Sequence, residues 1–308
     1  MPSRLTGSEL ALRVLEELYV TASRGSSREL VERIIQLKES ILSERPASMA
    51  TINMLRQVGL YILERGFSGV DSYISELKEK YIRALERASE IASRRIDSGE
   101  VLLTNSNSLA ARKLLEHLAK QGKSIELYVT ESRPGNEGLL VAEYAESLGF
   151  NVYLVVDSAA RFFMKKVDKV VVGTEAVASN GAVVSKIGTS LVALVAKEAR
   201  KRVFVIAPTV KFSPETFYGE LLKLPEYDWE LLVESDKAAR IPENYRARVP
   251  IYDMTPPEYI DAIVTEHGLF APQALPLVLS FIERSGLNLT VPLEDVVSRL
   301  RSLLGGAQ

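Results

Sequence analysis

The sequence predicts an α/β protein: an all-helical N-terminal domain over residues 1–98, then a parallel-sheet domain with C-terminal helices over residues 99–308. Three observations predict it. Up to about residue 98, apolar residues recur at three- and four-residue steps, with almost no strand signal. Beyond Gly99, short apolar runs alternate with helical stretches of about 10–15 residues, the pattern of βαβ units. The chain of 308 residues also exceeds the usual allotment of about 150 per domain.

Leu10, Leu12, Val14, Leu15 and Leu18 mark the first helix. Arg24-Gly25-Ser26-Ser27 breaks it with a C-cap followed by an N-cap. Leu30, Val31, Ile34, Ile35 and Leu37 mark the second. Pro46 suits the first turn of a third, running through Met49, Ile52, Leu55 and Leu60. A long charged helix is expected over 70–98, with Ile74, Leu77, Tyr81, Leu85 and Ala88 facing inward.

The strands are expected at 101–104, 125–129, 152–156, 169–173 and 203–206. These are short, mainly apolar runs, as strands covered on both faces are, so the sheet is read as Rossmann-like over about 100–270. Two helices close the chain, at about 272–284 and 292–303. The stretch 208–225 holds three prolines and breaks the rhythm, so it reads as a mobile loop.

Composition narrows the chemistry. Cysteine is absent, which removes disulfides, thiol nucleophiles and thiolate metal sites. Two histidines 150 residues apart make a His-based metal site improbable, and no metal or cofactor is expected. His117 reads as a packing or surface residue and His267 as a helix-end residue. A net charge of −2 argues against direct nucleic-acid binding. No apolar run reaches the ~18 residues of a membrane span, and Met1 to Leu10 lacks the apolar core of a signal peptide. A cytoplasmic protein is expected. The lack of Cys with many Arg and Glu suggests heat adaptation.

Ligands of open α/β sheets bind beyond the carboxyl ends of the strands. There the sequence puts Thr104-Asn105-Ser106-Asn107, Thr130-Glu131-Ser132-Arg133, Asp157-Ser158, Gly173-Thr174-Glu175 and Ala207-Pro208. This gathers polar groups around one crevice suited to a small polar ligand. Neither a Gly-x-Gly-x-x-Gly fingerprint nor a phosphate loop is present. Lys186 with Gly188-Thr189 at a helix start has the makings of a phosphate site. Ser106 has no neighbouring base, and it or Asn105 reads as the cap of a helix over 107–121.

The ordered series Thr130-Glu131-Ser132-Arg133-Pro134, Glu137-Gly138, Asp157-Ser158-Ala159-Ala160, Gly173-Thr174-Glu175-Ala176-Val177, Asn180-Gly181 and Lys186-Ile187-Gly188-Thr189 resembles the regulatory subunits (alpha, beta and delta) of translation initiation factor 2B. That superfamily also holds methylthioribose-1-phosphate and ribose-1,5-bisphosphate isomerases. Arg4, Gly7-Ser8 and Arg45-Pro46 resemble its N-terminal motifs. Tyr252-Asp253, Thr255-Pro256-Pro257 and Gly268-Leu269-Phe270-Ala271-Pro272 resemble its C-terminal block.

The resemblance implies that the isomerases carry a catalytic Cys where this chain has Ser106, a catalytic Asp where it has Glu175, and Asn where it has Ser185. It implies Glu at the 175 position in the initiation-factor alpha subunit. The expectation is therefore an alpha-like regulatory subunit rather than an enzyme, with an aldose–ketose isomerase of altered site as the alternative. Implied partners are initiation factor 2, chiefly its alpha subunit, a phosphorylated small molecule, and further copies of the chain, at least a dimer. The expected ligand-binding residues are Arg45 (or Arg4), Asn105, Ser106, Glu131, Arg133, Asp157, Glu175, Ser185, Lys186, Gly188 and Thr189, with Ser106 and Glu175 as degenerate catalytic positions.

Overall fold

The computed structural model describes residues 5–213, 215–218, 224–232, 244, 246–275, 288 and 291–305. Four helices come first: α1 (Gly7–Ser23), α2 (Ser27–Glu44), α3 (Met49–Arg65) and α4 (Val70–Ser93). Thr6 and Glu9 form a capping box at the start of α1, and Ser26 caps α2. α3 is buried along nearly its whole length and forms the axis of this layer. Pro46 lies ahead of α3 instead of in its first turn, and Ser48 is the N-cap. The five apolar residues expected on the inner face of α4 are all buried.

The main sheet comprises β1 (Val101–Thr104), β2 (Glu126–Thr130), β3 (Asn151–Val155), β4 (Lys169–Gly173), β7 (Arg202–Ile206), β11 (Ala262–Thr265) and β12 (Gly268–Phe270). Its order is β12-β11-β7-β4-β1-β2-β3, parallel except for the β11–β12 hairpin. Helices α5 (Leu109–Lys120), α6 (Gly138–Ser147), α7 (Ala160–Phe163) and α8 (Thr189–Glu198) intervene between strands. Chain order reverses at β1, which has β2 on one side and β4 on the other. This is the switch point at which a crevice opens.

Several elements depart from the expectation. β5 (Ala176–Val177), β6 (Val183–Lys186) and β10 (Tyr252–Thr255) form a second, antiparallel sheet where a loop was expected after 173. β8 (Glu226–Tyr227) pairs with β9 (Val249–Pro250). β3 is an edge strand, not one covered on both faces, and exposes Tyr153 and Leu154. His267 sits in the turn between β11 and β12, not at a helix end, while His117 meets Glu86 at 3.1 Å. Of the stretch 208–225 read as mobile, Thr209–Ser213 is buried against α3, and residues 214 and 219–223 lie outside the described residues. Most of the helix expected at 272–284 lies outside the described residues, and its start is a 3-10 turn. The last helix, α9 (Leu293–Gly305), packs on α3: a Cβ added at Gly59 would lie 2.5 Å from Val296 Cγ1. Among the described residues no helix is long and apolar enough to cross a membrane.

Candidate functional site

A cavity of about 580 Å³ opens at the switch point, beyond the carboxyl ends of β1 and β4 and beneath the start of α1 and the end of α2. Its closed end is built around Glu175. One carboxylate oxygen lies 3.1 Å from Arg45 Nη2, and the two side chains are only 14% and 10% exposed. The carboxylate also fills the space beside Gly7, where a Cβ would fall 1.9 Å from Oε2. It therefore rests against the first turn of α1, where the helix dipole favours negative charge. Arg45 is fixed further by the Tyr252 hydroxyl at 3.0 Å and the Leu5 carbonyl at 2.7 Å. Burial works against the Arg45 charge, but Glu175 and Tyr252 outweigh it and the pKa stands above the ordinary value. Burial, then Glu175, pushes the Tyr252 phenol up.

Lys211 enters the same end. Its ammonium donates to the Thr174 carbonyl at 2.7 Å, and the residue is 3% exposed. Burial holds its pKa below the ordinary lysine range; Glu175 opposes that shift and Arg45 adds to it.

The loops after β1 and β2 are locked together. Asn105 donates to Thr189 Oγ1 at 2.9 Å and accepts from Thr130 Oγ1 at 2.6 Å. Ser132 Oγ accepts the Ser106 N–H at 2.7 Å. Ser106 and Ser132 both hold left-handed backbone conformations, φ +65° and +64°, strain of the kind that collects at functional sites. The Ser106 side chain lines the cavity, and neither it nor Asn105 caps α5, whose N-cap is Ser108.

At the open end, Lys186 is gripped by both oxygens of Glu137, at 2.6 and 2.7 Å. Arg133 is exposed and donates to the Leu232 carbonyl at 2.7 Å. Ser185 donates to the Gly173 carbonyl at 3.0 Å.

Of the expected ligand-binding residues, Arg45, Asn105, Ser106, Arg133, Glu175, Ser185, Lys186 and Thr189 line this cavity together. Three do not. Asp157 stands behind the wall, where its carboxylate takes the Ser132 and Arg133 N–H groups at 2.7 and 2.8 Å. Glu131 is likewise off the wall, on the backbone ladder to Val155. Gly188 does not offer its N–H to a phosphate, because Asp253 Oδ2 already takes the Gly188 and Ser190 N–H groups at 2.8 and 3.1 Å. Burial pushes the Asp253 carboxyl up to about 6 despite those two bonds. Arg4 lies outside the described residues.

Sequence reasoning gave no role to Gly7, Glu137, Lys211 or Tyr252. Gly7, Glu137 and Tyr252 stand within recognisable motifs. Lys211 stands five residues past a strand end, in the stretch read as mobile.

A parallel sheet roofed by a helical layer, with a crevice at its switch point lined by Arg45, Lys186 and Lys211, places the protein among the open α/β folds that carry a site beyond the strand ends. The chain belongs to the initiation factor 2 subunit family, whose model matches residues 6–272. It is 37% identical to a ribose 1,5-bisphosphate isomerase of Pyrococcus furiosus, over 86% of each chain. Relatives of the same name in further archaea are 31–37% identical. Among solved structures, a translation initiation factor eIF-2B of Pyrococcus horikoshii OT3 superposes with a TM-score of 0.76 at 26% identity, covering 88% of this chain and 93% of that one. A 5-methylthioribose 1-phosphate isomerase of the same organism shares the fold, with a TM-score of 0.70 at 21% identity over 90% and 83%.

These likenesses correct the functional expectation. The relatives named as isomerases stand at up to 37% identity, which overturns the reading as a non-enzymatic regulatory subunit. The partnership with initiation factor 2 rested on that reading, and none of these comparisons shows it.

Proposed function

We propose that this chain is an aldose–ketose isomerase of a phosphorylated pentose, with ribose 1,5-bisphosphate as its substrate. The observation that carries the reading is the Glu175 carboxylate, largely shielded from water at the closed end of a cavity that also presents Arg45 and Lys211. Isomerisation moves the C2 proton of the sugar to C1, which needs a positioned general base, and a carboxylate shielded from water can serve as one. Glu175 fills that role, and Gly7 supplies the room that its extra methylene requires over an Asp. Arg133 and Lys186 suit the phosphate groups, Lys186 by exchanging Glu137 for phosphate. The pocket volume falls within the range of small-molecule sites.

The homo-oligomer expected from the sequence belongs to this proposal. Tyr153, Leu154 and Val156, exposed at the edge of the sheet, support it, and light scattering tests it. The functional test is NMR observation of ribose 1,5-bisphosphate and methylthioribose 1-phosphate with the protein at elevated temperature. Conversion of the bisphosphate by the wild type and none by Glu175→Gln is the expected result. An unchanged spectrum with both sugars overturns the reading.

A further inference from the structure

The isomerase reading leaves one duty unfilled. Ring opening needs an acid to protonate the departing ring oxygen, and the resemblance implies a thiol at the position of Ser106. A serine hydroxyl is a far weaker acid than a thiol. We propose that Lys211 is that acid, a further catalytic residue of the same site; the inference rests on the isomerase reading.

Four observations support the assignment. Lys211 lines the cavity, and among the described residues its ammonium has one acceptor, the Thr174 carbonyl, leaving two N–H groups for a ligand. That acceptor belongs to the residue before Glu175, so acid and base are anchored on one strand end. The loop carrying Lys211 is held by a dedicated clamp: Asn53 of α3 donates to the Val210 and Phe212 carbonyls, at 2.6 and 2.9 Å, on either side of it. Arg56, with its side chain fully buried, backs the clamp by bonding both Asn53 and Glu215. Burying an amide and a guanidinium inside a helical layer is costly, and here both serve the placement of one loop. Finally, burial makes the ammonium a stronger acid than an ordinary lysine.

The step balances. The Lys211 ammonium gives a proton to the ring oxygen as the bond from C1 to that oxygen breaks. Glu175 takes the C2 proton, and the electron pair it leaves forms the C1=C2 double bond. In the second half the Lys211 amine takes the proton of the C2 hydroxyl as the C2 carbonyl forms. The double-bond pair then takes the proton from Glu175 at C1. No net proton is consumed.

The test compares the wild type with Lys211→Met and Lys211→Arg in turnover of ribose 1,5-bisphosphate across pH. Lys211→Met is expected to lower kcat by about 10²–10³-fold, the range for loss of a general acid, with KM held within about threefold as for an interaction made in the transition state. Lys211→Arg retains the charge, so a fold that needs only a cation survives in it. Its residual rate should lose the alkaline fall that a titrating lysine imposes. The charged groups facing Lys211 are Glu175, Arg45 and, behind the loop, the Arg56–Glu215 pair. A Lys211→Met enzyme with kcat near the wild type, while Glu175→Gln is inactive, overturns this inference and leaves the isomerase reading standing. A wild type with no turnover overturns both.

Discussion

The two ends of the crevice hold the same kinds of group, carboxylates beside cations, but water reaches the carboxylate of one end more than that of the other. At the closed end Glu175 and Arg45 are 14% and 10% exposed, with Lys211 still deeper. At the open end Lys186, 11% exposed, is as shielded as Arg45, but its partner Glu137 is 28% exposed and Arg133 is in solvent. Charges shielded from water interact strongly and resist exchange, whereas exposed ones trade partners with little net change. On the proposed isomerase reading, the closed end suits the reacting carbons, which need fixed groups without water. The open end is suited to phosphate, which must arrive by displacing a partner already there.

The sharpest way to break this comparison is at Glu175. Glu175→Gln keeps the volume and an acceptor for Arg45 but removes the base, and should lower kcat by about 10³-fold or more. Turnover within tenfold of the wild type would place the chemistry elsewhere. Gly7→Ala probes the same end indirectly. A Cβ there must push the carboxylate aside, and a displacement of about 1 Å costs on the order of 10²-fold. Since the moved atoms end a flexible side chain, the melting temperature should barely shift while kcat falls. A loss of stability with kcat retained would mean that the glycine serves packing only.

The open end should respond differently. Lys186→Met removes the proposed phosphate partner, so KM should rise by about 10–100-fold, as for loss of a charged hydrogen bond worth about 1.5–3 kcal/mol. The change in kcat should be smaller than either closed-end variant produces. Glu137→Gln, which loosens the competitor for Lys186, should lower KM by a few-fold at most. Steady-state kinetics on all four variants decides whether the two ends divide binding from chemistry; a kcat loss in Lys186→Met equal to that of Gly7→Ala would erase the distinction.

The difference between the ends also marks what the sequence could reveal. Groups immediately after strands, such as Asn105, Arg133 and Glu175, were legible, because apolar runs ending in polar residues locate the strand ends. The helical layer was legible from its period, down to the inner face of α4. Groups placed by distant contacts were not. Lys211 owes its position to Asn53, about half the chain away, and the proline-rich stretch around it signals only a broken rhythm. The second sheet escaped notice because a two-residue strand such as β5 has no period to read. The Asn180-Gly181 pair, which lies in the turn joining β5 to β6, was its one local signal. Gly188 misled for a related reason: a helix start looks open to phosphate in sequence, and only the fold brings Asp253 to fill it.

Asp253 yields the smallest effect, and one that separates fold from catalysis. Burial raises its carboxyl from 3.8 to about 6 in the folded protein. Between pH 4 and 6 the folded state therefore binds more protons than the unfolded one, so stability falls as pH rises through that window, and the loss is complete above about pH 6. A shift of this size corresponds to roughly 3 kcal/mol. Asp253→Asn keeps an acceptor for the Gly188 and Ser190 N–H groups and has no charge to desolvate. Urea unfolding at pH 4.5 and pH 7 should show the variant gaining on the wild type by about 2 kcal/mol more at the higher pH. Because Asp253 caps α8 from outside the cavity wall, kcat should stay within a few-fold. Parallel stabilities at the two pH values would mean that water reaches this carboxylate. A large kcat loss would mean instead that the start of α8 belongs with the closed end of the crevice.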